Sequence, residues 1–204
     1  MKLLKPLILT AIAMAAVPVL TASKAPFTPA FSSAEAGSYA IDASHSSVMF
    51  KIKHLDVSYA HGRFDTMEGN FVLSEEEGKS VLNTSVVAKS VNSNSEKRDN
   101  HLRSPDFLNV KQYPEIAFKS TGFAKTGETM YEVTGMLDFH GESKEVKVPM
   151  TLVGARDTGK KSGFRAGFEG SFSVNRRDFG MDTYPDAVLS NEITLTLAFE
   201  GIKE

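Results

Sequence analysis

Cysteine is absent from all 204 residues. Its absence excludes a disulfide framework, a thiolate nucleophile and a lipid-bearing anchor cysteine. A surplus of basic charge is missing as well. Lysine and arginine number 23 against 25 aspartates and glutamates, a formal net charge of −2, whereas a general nucleic-acid binder carries a basic face. Catalytic signatures are also lacking: there is no Gly-x-Ser-x-Gly, no phosphate-cradling loop and no Gly-x-Gly-x-x-Gly. No catalytic residue and no cofactor is therefore assigned. Of the five histidines, His45, His54 and His61 are too widely spaced for one helical face, and no His-x-x-x-His pair occurs. No metal site is assigned either.

What is present is an ordinary globular composition, 41% hydrophobic and 24% charged, with length for one domain and a sizeable core. The opening "MKLLKPLILTAIAMAAVPVL" sets Lys2 and Lys5 before an apolar run from Leu7 to Leu20, broken only by Thr10 and Pro18. That layout is expected of a secretory signal peptide, and it is too short and alanine-rich for a membrane span. Ala34-Glu35-Ala36 supplies a small-x-small cleavage pattern, giving residues 1–36 as leader and processing region and 37–204 as the mature domain. Cleavage after Ala22 is the rival, and an uncleaved anchor the third reading. Without residues 1–36 the basic count falls to 20 and the acidic count to 24, a net charge of −4. The expected location is the periplasm, with secretion as the alternative. A cysteine-free domain there must stand on its core alone.

From Tyr39 onward the dominant period is two. Val48, Phe50 and Ile52 alternate with Met49, Lys51 and Lys53; Val146, Val148, Met150 and Leu152 alternate with Glu145, Lys147 and Thr151. The same alternation runs through Tyr131–Phe139, Phe164–Val174 and Ile193–Phe199, and more weakly through 62–73, 81–91 and 115–123. Each is a half-buried strand pattern. Glu77-Gly78, Thr126-Gly127, His140-Gly141 and the run 157–163 mark turns between them. About eight strands with little helix predict an antiparallel sandwich or up-and-down barrel. Gly135, Ala166 and Gly170 fall on otherwise bulky inward faces, where small residues are expected to leave room for a slender ligand or to mark bulges.

The long interruption is Asn92–Gln112, with one or two helical turns expected in "SEKRDNHLRS". Its Arg98, Asp99, His101, Arg103 and Asp106 admit two readings. They tie the loop to neighbouring strands while Leu102, Phe107 and Leu108 plug one barrel end, or the arginines meet an anionic head group at a cavity mouth. Arg176, in "NRRDFGMDTY" at a strand end, poses the same choice, and His54 extends the Val48–Phe50–Ile52 face to the barrel wall or mouth.

"YAIDASHSSVMFKIKHL", "GRF", "RDNHLRSPDFLNVKQYPEIAFKST", "VTGMLDFHGESKEVKVPM" and "GFRAGFEGSFSVNRRDFGM" follow in this order between Tyr39 and Met181. Together they resemble the YceI-like lipid/polyisoprenoid-binding family. The resemblance implies an all-β, lipocalin-like antiparallel eight-stranded barrel with a short helical connection around residues 94–110. It implies an apolar pore holding an isoprenoid chain, periplasmic export and no established catalytic activity.

Strand parity then gives the pore-lining candidates: Phe50, Ile52, Phe118, Val133, Leu137, Val148, Met150, Phe168, Phe172, Leu195 and Leu197. His54, Arg98, His101, Arg103 and Arg176 are the head-group or mouth candidates. The expected partner is a polyisoprenoid or other long-chain lipid, with transient membrane contact and no nucleic acid; oligomeric state is left open. Two rivals stand beside this reading. One is an enzyme using His101 with Asp99 or Asp106 as acid and base; the other is a non-binding stress-response domain with a filled barrel.

Overall fold

The structure is a computed structural model, and residues 34–204 are described. The expected signal segment and the rival cleavage junction after Ala22 lie outside the described residues, whereas the junction after Ala36 lies within them.

The alternating stretches fold into strands β1 (Gly37–Ile41), β2 (Ser47–His54), β3 (Ser58–Phe64), β4 (Met67–Leu73), β5 (Val81–Val87) and β6 (Val91–Asn92), then helix α1 (Glu96–Leu102). After the helix come β7 (Glu115–Lys125), β8 (Met130–Phe139), β9 (Glu142–Asp157), β10 (Phe164–Asn175) and β11 (Leu189–Lys203). Every pairing is antiparallel, and β1–β4–β5–β7–β8–β9–β10–β11 closes on itself through the β1–β11 pair. This is an eight-stranded barrel, and closure removes the free edges that an open sheet would leave for aggregation.

The first three walls are broken strands. β1 runs into β2, β3 into β4 and β5 into β6 across short kinks at residues 42–46, 65–66 and 88–90. The last two kinks are hydrogen-bonded to each other: Asp65 N–H donates to Ser90 O (3.1 Å), Thr66 N–H to Ser90 Oγ (3.1 Å) and Val87 N–H to Thr66 O (3.1 Å). Below that contact β5 pairs with β7; above it β6 pairs only with β3. The barrel wall therefore splits between β6 and β7, and the segment from Ser93 to Pro114, with α1, fills the split.

The opposite end is filled by rings. Tyr39 stacks on Phe71 with centroids 4.6 Å apart, Phe71 meets Phe168 edge-on at 5.6 Å, and Phe168 touches Tyr131, Phe199 and Phe123 at 5.4, 5.7 and 6.0 Å. Such pairs each add about 0.5–1.5 kcal/mol beyond simple burial. A Cβ at Gly201 would fall 2.3 Å from the Phe71 ring, so only glycine lets this cluster close. Burial, with the Glu35 carboxylate adding to it, pushes the Tyr39 hydroxyl up to about 12.

The β1–β2 kink is held by Asp42. Its carboxylate accepts from Ser44 Oγ (2.6 Å), His45 Nδ1 (2.9 Å) and Arg165 Nη1 (3.0 Å). These bonds, Ser44 first, hold the carboxyl far below the usual carboxylate range. A depressed acid stabilises the fold above its unfolded value near 3.9 and loses that contribution as pH falls toward the folded one. Acid unfolding followed by circular dichroism is expected to steepen below about pH 4, and Asp42→Asn to flatten the profile there. An unchanged acid limb in the variant would remove Asp42 from that role.

Candidate functional site

The split wall leaves a cavity of about 460 Å³, within the range of roughly 300–1,000 Å³ typical of small-molecule sites. Its floor is the buried side chains of Phe64, Val91, Leu108, Phe139, Arg176 and Met181. Phe50, Ile52, Ile193 and Leu195 line the wall, and the exposed His54, Ser58, Tyr59, His61, His101 and Asp106 form the mouth. A second space of about 70 Å³ lies next to it in the barrel, lined by Phe118, Leu137, Val148, Met150, Phe172 and Leu197 among others. Phe64, Phe139 and Leu195 border both spaces. The two spaces are separated by those three side chains, with polar groups gathered at the outer end of the larger one.

Of the pore candidates from strand parity, Phe50, Ile52 and Leu195 face the larger space, and Phe118, Leu137, Val148, Met150, Phe172, Leu195 and Leu197 the smaller. Val133 and Phe168 line neither. Both point inward, but at the ring-packed end, where Phe168 is enclosed by other aromatics. Parity reports which face a side chain is on, not how far along the barrel the packing closes. Phe168→Leu is accordingly expected to cost roughly 1–2 kcal/mol in chemical denaturation and to leave lipid uptake unchanged; a loss of uptake would move the pore deeper.

Of the two expectations for the small inward residues, the structure favours bulges over room: the β7–β8 register shifts opposite Gly135 and the β9–β10 register shifts just after Ala166. A Cβ at Gly135 would lie 2.5 Å from the Phe118 ring, and one at Gly170 3.1 Å from Met150 Cγ. These positions are occupied by neighbouring side chains. The room in the barrel comes from the β6–β7 split, where the wall itself parts.

The charged loop is mostly brace. α1 starts at Ser95, whose hydroxyl caps the helix at Arg98 N. Asp99 is buried and accepts from Ser93 N–H (2.7 Å) and the Ser93 hydroxyl, facing away from the cavity. Arg98 donates to Ser93 Oγ (2.7 Å) and Ser93 O (2.6 Å) while still bordering the cavity. Arg103 does not line it. Its guanidinium donates to Lys89 O and Val91 O, each at 2.8 Å, tying the helix to β6. Leu102, Phe107 and Leu108 line the cavity from the segment that fills the split, with Leu108 at its floor.

His101 is at the mouth. Its Nε2 lies 3.1 Å from Asp106 Oδ2 and 3.4 Å from the Tyr184 hydroxyl. Phe107 stacks on Tyr184 with centroids 5.3 Å apart, joining this loop to the segment before β11. Tyr184 and Met181 were not among the candidates from the sequence: they sit between strands, where no periodicity speaks. Phe139 was legible, since it shares the parity of Leu137.

Arg176 is a brace set in the cavity floor. It borders the cavity and is only 2% exposed. Its guanidinium donates to Ser190 O (3.1 Å), Tyr184 O (2.6 Å), Leu189 O (3.0 Å) and Met181 O, with Asp186 Oδ1 at 3.7 Å. Burial, followed by the neighbouring Arg177 charge, lowers it from the ordinary arginine value.

Asp42, His45 and Glu200 bring ligand atoms within 4.8 Å of one another, the one such group among the described residues. Arg165 Nη1 is bonded to both carboxylates, so the cluster already has its cation.

The YceI-like domain family matches residues 39–201. A UPF0312 protein of Pseudomonas aeruginosa is 38% identical over 176 residues, spanning 84% of this chain and 90% of the relative. A UPF0312 protein of Azotobacter vinelandii is 36% identical over 178 residues, with the same shares. Among solved structures, the YceI protein of Campylobacter jejuni superposes with a TM-score of 0.67 at 28% identity, over 74% of this chain and 90% of that one. A polyisoprenoid binding domain from Saccharophagus degradans, implicated in plant cell wall breakdown, shares the fold, with a TM-score of 0.63 at 12% identity over 83% of this chain and all of that one. The family match runs from within β1 to within β11 and takes in the split wall and its bracing loop, and the chain belongs to the YceI-like family.

Proposed function

We propose that this protein is an exported binding protein that sequesters or carries a polyisoprenoid or similar long-chain lipid, and that it catalyses no reaction on it. The observation that carries this reading is the pair of adjacent apolar cavities, one open at the mouth and one beyond Leu195 against Phe118 and Leu197, which a chain would join by displacing the side chains between them. Burying each methylene-sized unit of a chain there gains roughly 0.8 kcal/mol, without directional contacts, so chains of related shape compete on length. The tail lies deep, and the head group stays at the mouth beside Arg98, His101 and Tyr184. Family membership and the polyisoprenoid-binding fold neighbour support a lipid as the class of ligand.

Binding is favoured over acid–base chemistry by what the titratable groups do. Asp99 is committed to Ser93, and the His101–Asp106 pair stands at the exposed rim, away from the apolar floor where a chain would be buried.

Export rests on the N-terminal segment. Glu35 supports a junction upstream of it: its carboxylate pairs with Lys203 Nζ at 2.7 Å and its carbonyl accepts from the Tyr39 hydroxyl at 2.7 Å. Cleavage after Ala22 keeps both contacts and cleavage after Ala36 discards them. Native mass spectrometry of the protein recovered from the periplasm, followed by organic extraction, tests ligand and junction together. A stoichiometric isoprenoid is expected. Protein that stays bare after incubation with polyprenols would favour the non-binding reading.

A further inference from the structure

A water-insoluble chain has to be collected from a membrane, and the carriage reading above leaves open how the mouth meets one. We propose that the β2–β3 hairpin tip is a docking surface for an anionic phospholipid bilayer, placing the cavity mouth against the lipid. This inference rests on the carriage reading for its purpose but not for its test.

The tip is apolar where a turn is ordinarily polar. Val57 is 85% exposed, Tyr59 54% and Leu55 50%. Leu55 and Asp56 both adopt left-handed backbone, with φ of 53° and 55°, the conformation of a tight hairpin turn that ordinarily selects Asn, Asp or Gly. Nothing in the turn geometry calls for leucine there. The hairpin is also held in place: Val57 N–H donates to His54 O (3.1 Å), and Leu55 N–H donates to Val188 O (2.9 Å) on the segment that rims the cavity.

The apolar tip is continuous with the entrance. His54, Ser58, Tyr59, Ala60 and His61, the residues flanking the turn on both strands, all border the larger cavity. Seating Leu55 and Val57 among acyl chains would bring that entrance to the headgroup level, where a tyrosine is well placed because its ring is apolar and its hydroxyl wet.

Charge points to the same occupant. The protein is acidic overall, at −2, yet between Ser47 and Phe64 Lys51, Lys53 and Arg63 stand against Asp56 alone. Lys53 pairs with Asp56 and Arg63 with Asp65, whereas Lys51 lies over the Tyr59 ring at 4.9 Å with no carboxylate in contact among the described residues. A cation beside an exposed ring and an apolar turn matches an anionic bilayer surface. A partner protein fits less well: a stable interface takes roughly 800 Å² from each side, and three part-exposed side chains on one turn offer only a fraction of that.

The test is flotation of unloaded protein with mixed phosphatidylethanolamine–phosphatidylglycerol vesicles, comparing wild type with L55D/V57D. Wild type is expected to float with the vesicles, less so when phosphatidylglycerol is left out. The double variant should partition roughly tenfold or more weakly, because a carboxylate replaces an apolar group at each anchor. Both should take up a polyprenol equally when it is delivered from detergent micelles, which also shows that the variant is folded. Equal flotation of the two proteins, or no flotation of wild type, overturns the docking proposal. So does a concentration-dependent dimer in analytical ultracentrifugation that the same substitutions dissolve, since the tip then belongs to a second copy. Failure of carriage shows separately, as no uptake from micelles by either protein.

Discussion

Leu195→Asp is expected to abolish lipid loading. Leu195 borders both spaces, so a carboxylate there faces any chain that passes from the mouth toward Phe118. Leaving that charge against hydrocarbon costs several kcal/mol, and each 1.4 kcal/mol is a factor of ten, so affinity should drop roughly a hundredfold or more. The same charge also strains the fold, because Leu195 pairs with Phe50 on β2 and Phe172 on β10 in the sheet. Ala60→Phe separates the two effects. Ala60 faces inward opposite Ile52 and borders the larger cavity, so its ring would enter open space and should change stability by less than about 1.5 kcal/mol while obstructing the entrance. Titration with a polyprenol, read by native mass spectrometry, distinguishes the outcomes. Full loading of both variants would rule out the cavity as the binding site; loss in both, with Ala60→Phe folded, would place the ligand there.

Arg176→Met is expected to give a large loss of stability. Four carbonyls, those of Met181, Tyr184, Leu189 and Ser190, converge on one guanidinium that is almost wholly enclosed. Methionine fills the volume but donates nothing, and each buried carbonyl left unpaired costs about 1–3 kcal/mol before water reaches it. Allowing for that relaxation, the net loss should be roughly 3–5 kcal/mol, or about 6–20 °C in Tm for a domain of this size. Arg176→Lys should rescue little, since an ammonium is a point donor and cannot span carbonyls on both sides of the turn. Because the same segment carries Thr183 and Tyr184 at the mouth, lipid exchange should also become faster in whatever fraction remains folded. Wild-type stability in the lysine variant would show that the charge matters and the fork geometry does not.

The two residues differ in how visible they were. Leu195 was legible from alternation in "EITLTLAF", because a strand with one buried face must repeat every two residues. Arg176 was legible only as a residue at a strand end. Whether an arginine there is a brace or a ligand contact depends on carbonyls 5 to 14 positions away, which no local pattern places.

The sequence by itself determined the strand walls, their inward faces, the turns at Glu77-Gly78 and His140-Gly141, and the helical turns of α1, since all of these are set by interactions within a few residues. Parity failed at a bulge: Phe118 and Phe123 on β7 are both buried despite odd spacing, because Thr121 is the extra residue. Tertiary structure alone decided where the barrel is open. Val133 and Phe168 obey the same alternation as Leu137 and Phe172, yet one pair is packed beyond the cavities and the other borders the inner one. What separates them is position along the barrel axis, set by ring packing at one end and by the kinks that split β6 from β7 at the other. Those are contacts between residues far apart in the chain, and a period of two carries no information about them.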